Sequence, residues 1–153
     1  MKISFAFLAA VAGGLVGCSQ RDHSGASLSA KPHGNLTPKV ATENGRLIFL
    51  TGRDRDGLKI VAASPPLRPS CAACHGANGA GGQKFTDGAV SADLRHAALA
   101  GKQKPPYTIV SLERAISHGI DNQGKPLDKV MPRWKLSQND LSDVAHYVYA
   151  YLK

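Results

Sequence analysis

The chain has 153 residues, of which 42% are hydrophobic and 20% are charged, and its formal net charge at pH 7 is +8. This length suits one compact domain and excludes two large ones, and the composition is that of neither a fibrous nor a wholly disordered protein. Three cysteines are too few for a disulfide scaffold. The positive charge favours an acidic protein face, an anionic surface or nucleic acid as the partner.

The N-terminal segment is predicted to be a targeting signal. Met1 and Lys2 precede fourteen largely apolar residues, 3–16, which are too few to span a bilayer as a stable helix. The sequence Leu-Val-Gly-Cys at 15–18 resembles the lipobox of bacterial lipoproteins, whose cysteine receives a lipid and becomes the new N-terminus. The alternative is an ordinary signal peptide with a cysteine nearby by chance. We predict a signal peptide at 1–17 and lipidation of Cys18.

Residues 18–40 are predicted to form a flexible tether. After Cys18 the chain is rich in Ser, Gly, Pro, His and Lys and shows no periodicity. His23 and His33 lie in this stretch and are expected to be solvated. The folded domain is therefore expected at 41–153.

The first predicted helix covers 43–50 and is closed by Thr51 and Gly52. Gly45 inside this helix costs about 1 kcal/mol relative to alanine, so we expect another helix to cross closely there. Residues 53–69 are predicted to be a loop with one hairpin around an Asp-Gly turn at 56–57. Residues 76–90 contain five glycines and predict an irregular loop, followed by a short helical stretch at 91–100.

Two later helices have clear apolar periodicity. Residues 107–118 place Ile109, Leu112 and Ile116 at spacings of three and four. Residues 137–152 open with Ser137 and Asp140 in capping-box positions. The predicted class is all-α, with three to four short helices and long loops. Such a domain buries little apolar surface, so we expect a large apolar prosthetic group at its centre.

The pattern C-x-x-C-H at 71–75 is the attachment signature of c-type haem. Two cysteines three residues apart, on a turn that opens a helix, can each form a thioether with a haem vinyl group, and the adjacent imidazole can bind the iron. A thioredoxin-like redox pair would need a βαβ context, and a zinc site would need a second ligand pair. We predict one covalent haem c held by Cys71 and Cys74, with His75 as an iron ligand.

Met131 is the candidate for the sixth iron ligand. It is the one methionine that remains after removal of the signal peptide, and it is followed by Pro132, which stiffens the loop. The alternative for Met131 is a gap-filling position in the core. The rival ligands are three histidines, His96, His118 and His146.

Residues 43–153 resemble a class I monohaem cytochrome c domain, because the same features occur in the same order along the chain. The matching features are Gly45, Phe49, the C-x-x-C-H-G run at 71–76, the helix end at 115–120, Met131-Pro132 and Tyr147. The resemblance implies a fold in which the first and last helices cross at Gly45, with Phe49 and Tyr147 as packing partners, and in which the long loops wrap around the haem. Residues 53–69 depart from the compact pattern of the family.

The expected function is electron transfer between periplasmic or membrane redox partners. We expect a carrier rather than an enzyme, which acts as a monomer or as a subunit of a complex. An exposed haem edge with basic loops would attract an acidic reductase or oxidase. The basic residues concerned are Lys84, Lys102, Lys104, Lys125, Lys129, Arg133 and Lys135. A solvated surface that keeps the protein soluble is the alternative interpretation of this charge.

Other roles stay open from the sequence. The chain could be a permanent haem subunit of a membrane oxidoreductase complex, or a haem sensor or enzyme whose sixth position is free. Arg133 and Trp134 are candidates for contacts with the haem propionates, although Trp134 equally suits the core. Nucleic-acid binding is not expected of an exported protein. The lipid on Cys18 would place the domain on the periplasmic side of the outer or the inner membrane.

Overall fold

The structure, a computed structural model, describes residues 37–153, so the predicted signal peptide, Cys18 and most of the predicted tether lie outside the described residues. The described chain forms four α-helices, α1 (Pro38–Thr51), α2 (Ala72–His75), α3 (Ile109–His118) and α4 (Gln138–Tyr151). A π-helical segment, Ala97–Lys102, precedes α3. Two short strands, β1 (Val61–Ala62) and β2 (Trp134–Lys135), pair antiparallel. The predicted all-α class with short helices and long loops is confirmed.

Two helix boundaries differ from the predictions for local reasons. The first helix begins at Pro38 rather than at 43, so residues 38–40 belong to a helix and not to the tether. A proline is suited to the first helical position because its missing N–H has no partner there in any case. The third helix begins at Ile109 rather than at 107, because Thr108 and Ser111 form a reciprocal capping box before it.

The contact between α1 and α4 organises the core. Gly45 is buried at this contact, where a Cβ atom would overlap the backbone carbonyl of Asp143. The rings of Phe49 and Tyr147 pack beside it with their centroids 5.6 Å apart. The predicted close approach at Gly45, with Phe49 and Tyr147 as partners, is therefore confirmed.

A buried asparagine ties this contact to the segment that the sequence left unplaced. Asn44 is fully buried, and its amide nitrogen donates to Asp140 Oδ1 at 2.9 Å and to Asp143 Oδ2 at 2.8 Å on α4. Its amide oxygen accepts the Arg55 N–H at 2.8 Å. Buried polar groups need such partners to offset the loss of hydration. Asn44 thus joins α1, α4 and the start of residues 53–69.

Residues 53–69 dock against both α1 and β2. The predicted turn is present: Asp54 Oδ1 accepts the N–H groups of Asp56 and Leu58, and Arg53 pairs with Lys59 in an isolated bridge. The chain then leaves this small hairpin and forms β1. The partner of β1 is β2, which lies far away in the sequence, after α3. Long-range pairing therefore places this segment beside Trp134–Lys135.

The core is built from one face of each of the three longer helices, with Leu99 added from the π-helical segment and Trp134 from β2. Its members are Ile48, Phe49, Leu99, Leu112, Ile116, Trp134, Leu141, Val144, Ala145, Val148 and Leu152. The N-terminus of α4 is capped as predicted, since the Ser137 hydroxyl accepts the Asp140 N–H at 3.2 Å. Within residues 37–153, none of the helices has the length and apolar character needed to cross a membrane.

Candidate functional site

The two cysteines and the histidine of the C-x-x-C-H motif are presented from a single helical turn. The carbonyl oxygen of Cys71 accepts the N–H groups of Cys74 at 3.1 Å and of His75 at 2.9 Å, so the helix begins directly at the motif. Both thiols are free and half-buried. The spacing of the motif therefore brings Cys71, Cys74 and His75 to the wall of one pocket.

A backbone carbonyl orients the imidazole of His75. The ring is buried, with 7% of the residue exposed, and Nδ1 lies 2.8 Å from the carbonyl oxygen of Ala92. A carbonyl can only accept, so Nδ1 carries the proton and Nε2 keeps its lone pair for a metal. Burial also lowers the pKa of His75, which keeps the ring neutral. A neutral, oriented imidazole is the form that binds iron.

Burial also controls the protonation of the two thiols. It raises the pKa of Cys71 to about 12 and raises the pKa of Cys74. In each case the cause is the loss of water around the charged form. Both residues are therefore neutral thiols at pH 7 before any haem is attached. A thiol forms a thioether with a vinyl group when its sulfur and its hydrogen both add across the double bond, and no atom is released.

The loop at 76–96, the His75 loop, holds the Ala92 carbonyl through backbone contacts. The Gly81 N–H donates to the His75 carbonyl oxygen at 2.8 Å, and the Leu94 N–H donates to the Gly79 carbonyl oxygen at 2.7 Å. Gly81 has a φ of +65° and packs so closely on Ala92 that a Cβ atom would overlap the Ala92 carbonyl. The glycines predicted to give an irregular loop therefore set the position of the group that orients His75.

The loop at 119–133, the Met131 loop, supplies the predicted thioether. Met131 is half-buried and lines the same pocket as Cys71, Cys74 and His75. Its N–H donates to the carbonyl oxygen of Asp128 at 3.1 Å, which closes a tight turn just before Pro132. The structure thus brings together the four predicted haem-binding residues, which lie up to sixty residues apart in the sequence.

The three rival histidines lie elsewhere. His96, His118 and His146 are exposed, and none of them lines the pocket. The Nδ1 atoms of His96 and His146 lie 2.9 Å and 2.8 Å from the carbonyl oxygens of Tyr149 and Ser142. His118 ends α3, as predicted, with its Nδ1 beside the Ser117 hydroxyl. Met131 therefore lines the pocket with the C-x-x-C-H residues, and the three histidines do not.

The rest of the pocket is mostly apolar, with a few polar residues such as Arg68 and Gln103, and it suits a porphyrin. Aliphatic and aromatic side chains from the helices and from β2 line it, among them Phe49, Leu99, Leu112, Ile116, Val148 and Trp134. Two free thiols, an oriented imidazole and a thioether at the edge of an apolar cavity match the attachment points and axial ligands of a haem c. Elsewhere in residues 37–153, no three His, Cys, Asp or Glu side chains converge as a metal site.

Arg133 has hydrogen-bond partners that the sequence did not predict. It does not line the pocket, and its guanidinium donates to the carbonyl oxygens of Leu127, Asp128 and Met131. These three carbonyl groups are the partners of the guanidinium within the described residues, and the contact with a haem propionate stays a prediction. Trp134 is buried in the core and also lines the pocket.

Sequence reasoning missed two groups that shape the site. One is the Ala92 carbonyl, which has no signature because every residue carries a carbonyl. The other is the set of carbonyls that Arg133 binds, for which the only sequence signal is an arginine directly after Met131-Pro132. The predicted basic loops are at the surface, since Lys84, Lys102, Lys104, Lys125, Lys129 and Lys135 are all exposed.

Comparisons with known proteins bear on the family of the chain. The solved structure of oxidised SHP, an oxygen-binding cytochrome c, is 21% identical, and the match covers 71% of this chain and 80% of that chain with a TM-score of 0.39. None of the curated proteins matches the chain. The cytochrome c family matches residues 55–150, which is more than half of the chain and includes the C-x-x-C-H motif and Met131. The chain belongs to the cytochrome c family, whose domain implies a haem c.

Proposed function

We propose that the protein is a one-electron carrier with a single haem c, attached through Cys71 and Cys74 and ligated by His75 and Met131. The observation that carries this proposal is that the Met131 thioether lines the same pocket as the C-x-x-C-H residues, whereas His96, His118 and His146 do not. When bound, the haem supplies an Fe(II)/Fe(III) couple that accepts and returns one electron.

The protein's own residues would set the properties of that couple. His75 offers Nε2 because Ala92 holds Nδ1, and Met131 offers a soft sulfur that favours Fe(II). If His75 and Met131 both bind the iron, no coordination position would remain for a substrate or a gas. The apolar wall that includes Phe49, Leu112 and Trp134 excludes water, which also favours the less charged Fe(II) state. This combination is that of a carrier rather than of an enzyme.

Substitution of Met131 tests the proposed ligation. The oxidised wild type should show the weak near-infrared sulfur-to-iron band, and the reduced wild type should bind carbon monoxide poorly. Met131→Ala should abolish the band, admit carbon monoxide and lower the reduction potential, since axial ligands as a class shift haem potentials over about 0.8 V. The potential is measured by spectroelectrochemical titration of both proteins.

The same measurements expose the alternatives. A wild type that binds carbon monoxide readily and lacks the band has an open sixth position, which contradicts the carrier and favours a sensor or an enzyme. Met131→Ala with an unchanged spectrum and potential would assign the ligand to a histidine, and His96→Ala, His118→Ala and His146→Ala would then identify it.

An acidic redox protein is the proposed partner. The exposed lysines of the loops, together with a net charge of +8, support this assignment, because complementary charge speeds the encounter of two proteins. The rate of electron transfer to an acidic partner should fall steeply between low and physiological ionic strength. Lys129→Glu, which reverses one charge beside Met131, should lower the rate at low salt. A rate independent of salt would leave the basic surface with a role in solubility only.

Anchoring to a membrane through a lipid on Cys18 completes the proposal. It rests on the lipobox-like sequence at 15–18 and places the carrier on the periplasmic side. Cys18→Ala should block processing or release the protein from the membrane fraction, with Ser19→Ala as the matched control. A wild type found freely soluble in the periplasm would contradict the anchor and leave the assignment of the haem untouched.

A further inference from the structure

One side chain binds both ends of the turn that carries Met131. The guanidinium of Arg133 donates from Nη2 to the carbonyl oxygen of Leu127 at 2.8 Å and from Nη1 to that of Asp128 at 3.0 Å. Nη1 also donates to the carbonyl oxygen of Met131 itself. A planar guanidinium can serve several acceptors in a defined geometry, which an ammonium group cannot. Arg133 therefore determines the separation of Leu127 and Met131 across the turn.

The guanidinium is held in turn by the end of α3. It occupies the space next to Gly119 where a side chain would be, since a Cβ atom there would overlap Nε and the central carbon of the Arg133 guanidinium. Gly119 is buried, has a φ of +66°, and its carbonyl oxygen accepts the Leu127 N–H at 2.7 Å. The arginine is thus packed between the end of α3 and the turn.

Apart from the bond from the Leu127 N–H to the Gly119 carbonyl oxygen, the other polar contacts of the turn are local. The Met131 N–H donates to the Asp128 carbonyl, and the Val130 N–H donates to Asp128 Oδ1 at 2.8 Å. These bonds would move together with the turn if it shifted away from the pocket. Arg133 also joins the turn to β1, because its own carbonyl oxygen accepts the Ala63 N–H at 2.8 Å. The side chain of Arg133 therefore links the position of Met131 to the rest of the fold.

We propose that Arg133 is a positioning residue that holds the Met131 sulfur at the iron and so resists its replacement by an external ligand. This inference rests on the proposed function, because it takes Met131 as the sixth ligand. Arg133 would act through three carbonyl oxygens, and it does not itself line the pocket. Loss of the guanidinium would free the turn, and a competing ligand would then displace the sulfur more easily.

Titration of the oxidised protein with imidazole measures this resistance directly, because imidazole must displace the thioether and removes the near-infrared band as it binds. Arg133→Gln should raise the affinity for imidazole about tenfold, the change expected for loss of one charged hydrogen bond. Arg133→Lys keeps the positive charge but not the planar set of N–H donors, so its imidazole affinity should lie between those of the wild type and Arg133→Gln. Arg114→Gln is the matched control, since Arg114 donates to the carbonyl of Asp121 in the same loop but outside the turn.

A pair of glycine variants tests the same contact without changing Arg133. Gly119→Ala should displace the guanidinium and raise the imidazole affinity as Arg133→Gln does, and the double variant should show little further increase. Gly124→Ala is the control, because Gly124 also has a positive φ, +83°, but faces open space. It carries the same backbone cost and should leave the imidazole affinity unchanged.

The outcomes separate this inference from the function on which it rests. A near-infrared band in the wild type and unchanged imidazole affinity in Arg133→Gln, Arg133→Lys and Gly119→Ala would overturn the positioning role while the proposed carrier stands. The role would also be overturned if Arg114→Gln and Gly124→Ala raised the affinity equally. A wild type without the band would instead overturn the carrier, because Met131 would not be the ligand.

Discussion

The two loops that line the pocket are held in different ways. In the His75 loop, the Ala92 carbonyl that orients the imidazole is held by hydrogen bonds between backbone groups and by the close packing of Gly81. In the Met131 loop, the turn that carries the thioether is tied to the fold by the side chain of Arg133. The His75 loop thus depends on backbone contacts, whereas the turn that carries Met131 depends on the Arg133 guanidinium together with the backbone bond from Leu127 to Gly119.

This difference determines which substitutions each loop tolerates. Backbone hydrogen bonds survive most changes of side chain, but they fail where a glycine conformation is lost. Hydrogen bonds donated by a single side chain tolerate small changes in the surrounding backbone, but they are lost when that residue is replaced. We therefore expect the His75 loop to be sensitive at its glycines, and the Met131 loop to be sensitive at Arg133 and at Gly119, on which Arg133 packs.

Removal of both cysteines should have the largest effect, because the pocket lined by both loops would lose its covalently attached haem. Cys71→Ala combined with Cys74→Ala should abolish haem staining of the denatured protein on a gel. The domain should also lose cooperative unfolding, since a small core with long loops has little stability to spare without its cofactor. Circular dichroism and calorimetry measure this loss.

The single variants provide the control for that experiment. Cys71→Ala and Cys74→Ala each leave one sulfur for attachment and should retain covalent stain at a reduced level. Haem that extracts from the wild type into acidic acetone would show that neither cysteine is attached. The haem would then be held in the pocket without a covalent bond to α2.

Gly81→Ala should break the backbone-held loop selectively. The new Cβ atom would overlap the Ala92 carbonyl, and the residue would also be forced into a φ of +65°. Strain at such a position costs about 1 kcal/mol and overpacking about 1–3 kcal/mol, so the free energy of unfolding should fall by about 2–4 kcal/mol. Urea denaturation followed by haem absorbance and far-ultraviolet circular dichroism measures the change.

Gly82→Ala separates the two contributions to that cost. Gly82 has a φ of +85°, and a methyl group added there would meet nothing within 4 Å, so this variant carries only the backbone strain of about 1 kcal/mol. An equal loss of stability in Gly81→Ala and Gly82→Ala would show that the packing of Gly81 on Ala92 does not matter. Close packing would then not be what holds the His75 loop.

Asp93→Asn should have the smallest effect, and a pH dependence should identify it. The Arg95 side chain donates to both Asp93 carboxylate oxygens, at 2.9 Å and 2.7 Å, and these hydrogen bonds lower the pKa of Asp93 to about 2 from an ordinary value of 3.8. A pKa lowered by folding stabilises the protein above pH 3.8, and the contribution is lost as the pH falls towards 2. Because the pair is partly exposed, the loss at pH 7 should stay below about 1 kcal/mol.

Urea denaturation at pH 7 and at pH 3 gives the required difference. The wild type should be more stable than Asp93→Asn at pH 7, and the gap between them should shrink at pH 3. Lys84→Gln, which removes an exposed charge from the same loop, should show no such dependence. A gap that grows on acidification would contradict the stabilising role of the ionised carboxylate.

Local patterns in the sequence predicted much of this molecule. The C-x-x-C-H motif specifies its own geometry because five consecutive residues on one helical turn leave little conformational choice. The periodicity of α3 and α4 predicted helices that the structure contains. The cost of a glycine inside a helix predicted that another helix crosses closely at Gly45, and in the structure this helix is α4. These features depend on residues that are near one another in the sequence.

Tertiary structure alone decided the features that join distant residues. The pairing of β1 with β2, the burial of Asn44 between α1 and α4, and the choice of the Ala92 carbonyl as the partner of His75 have no local signature, because any backbone group could make them. The same holds for Arg133, whose side chain binds three carbonyls that its position in the sequence did not indicate. Long-range contacts depend on how the helices and loops pack together, which local spacing does not specify.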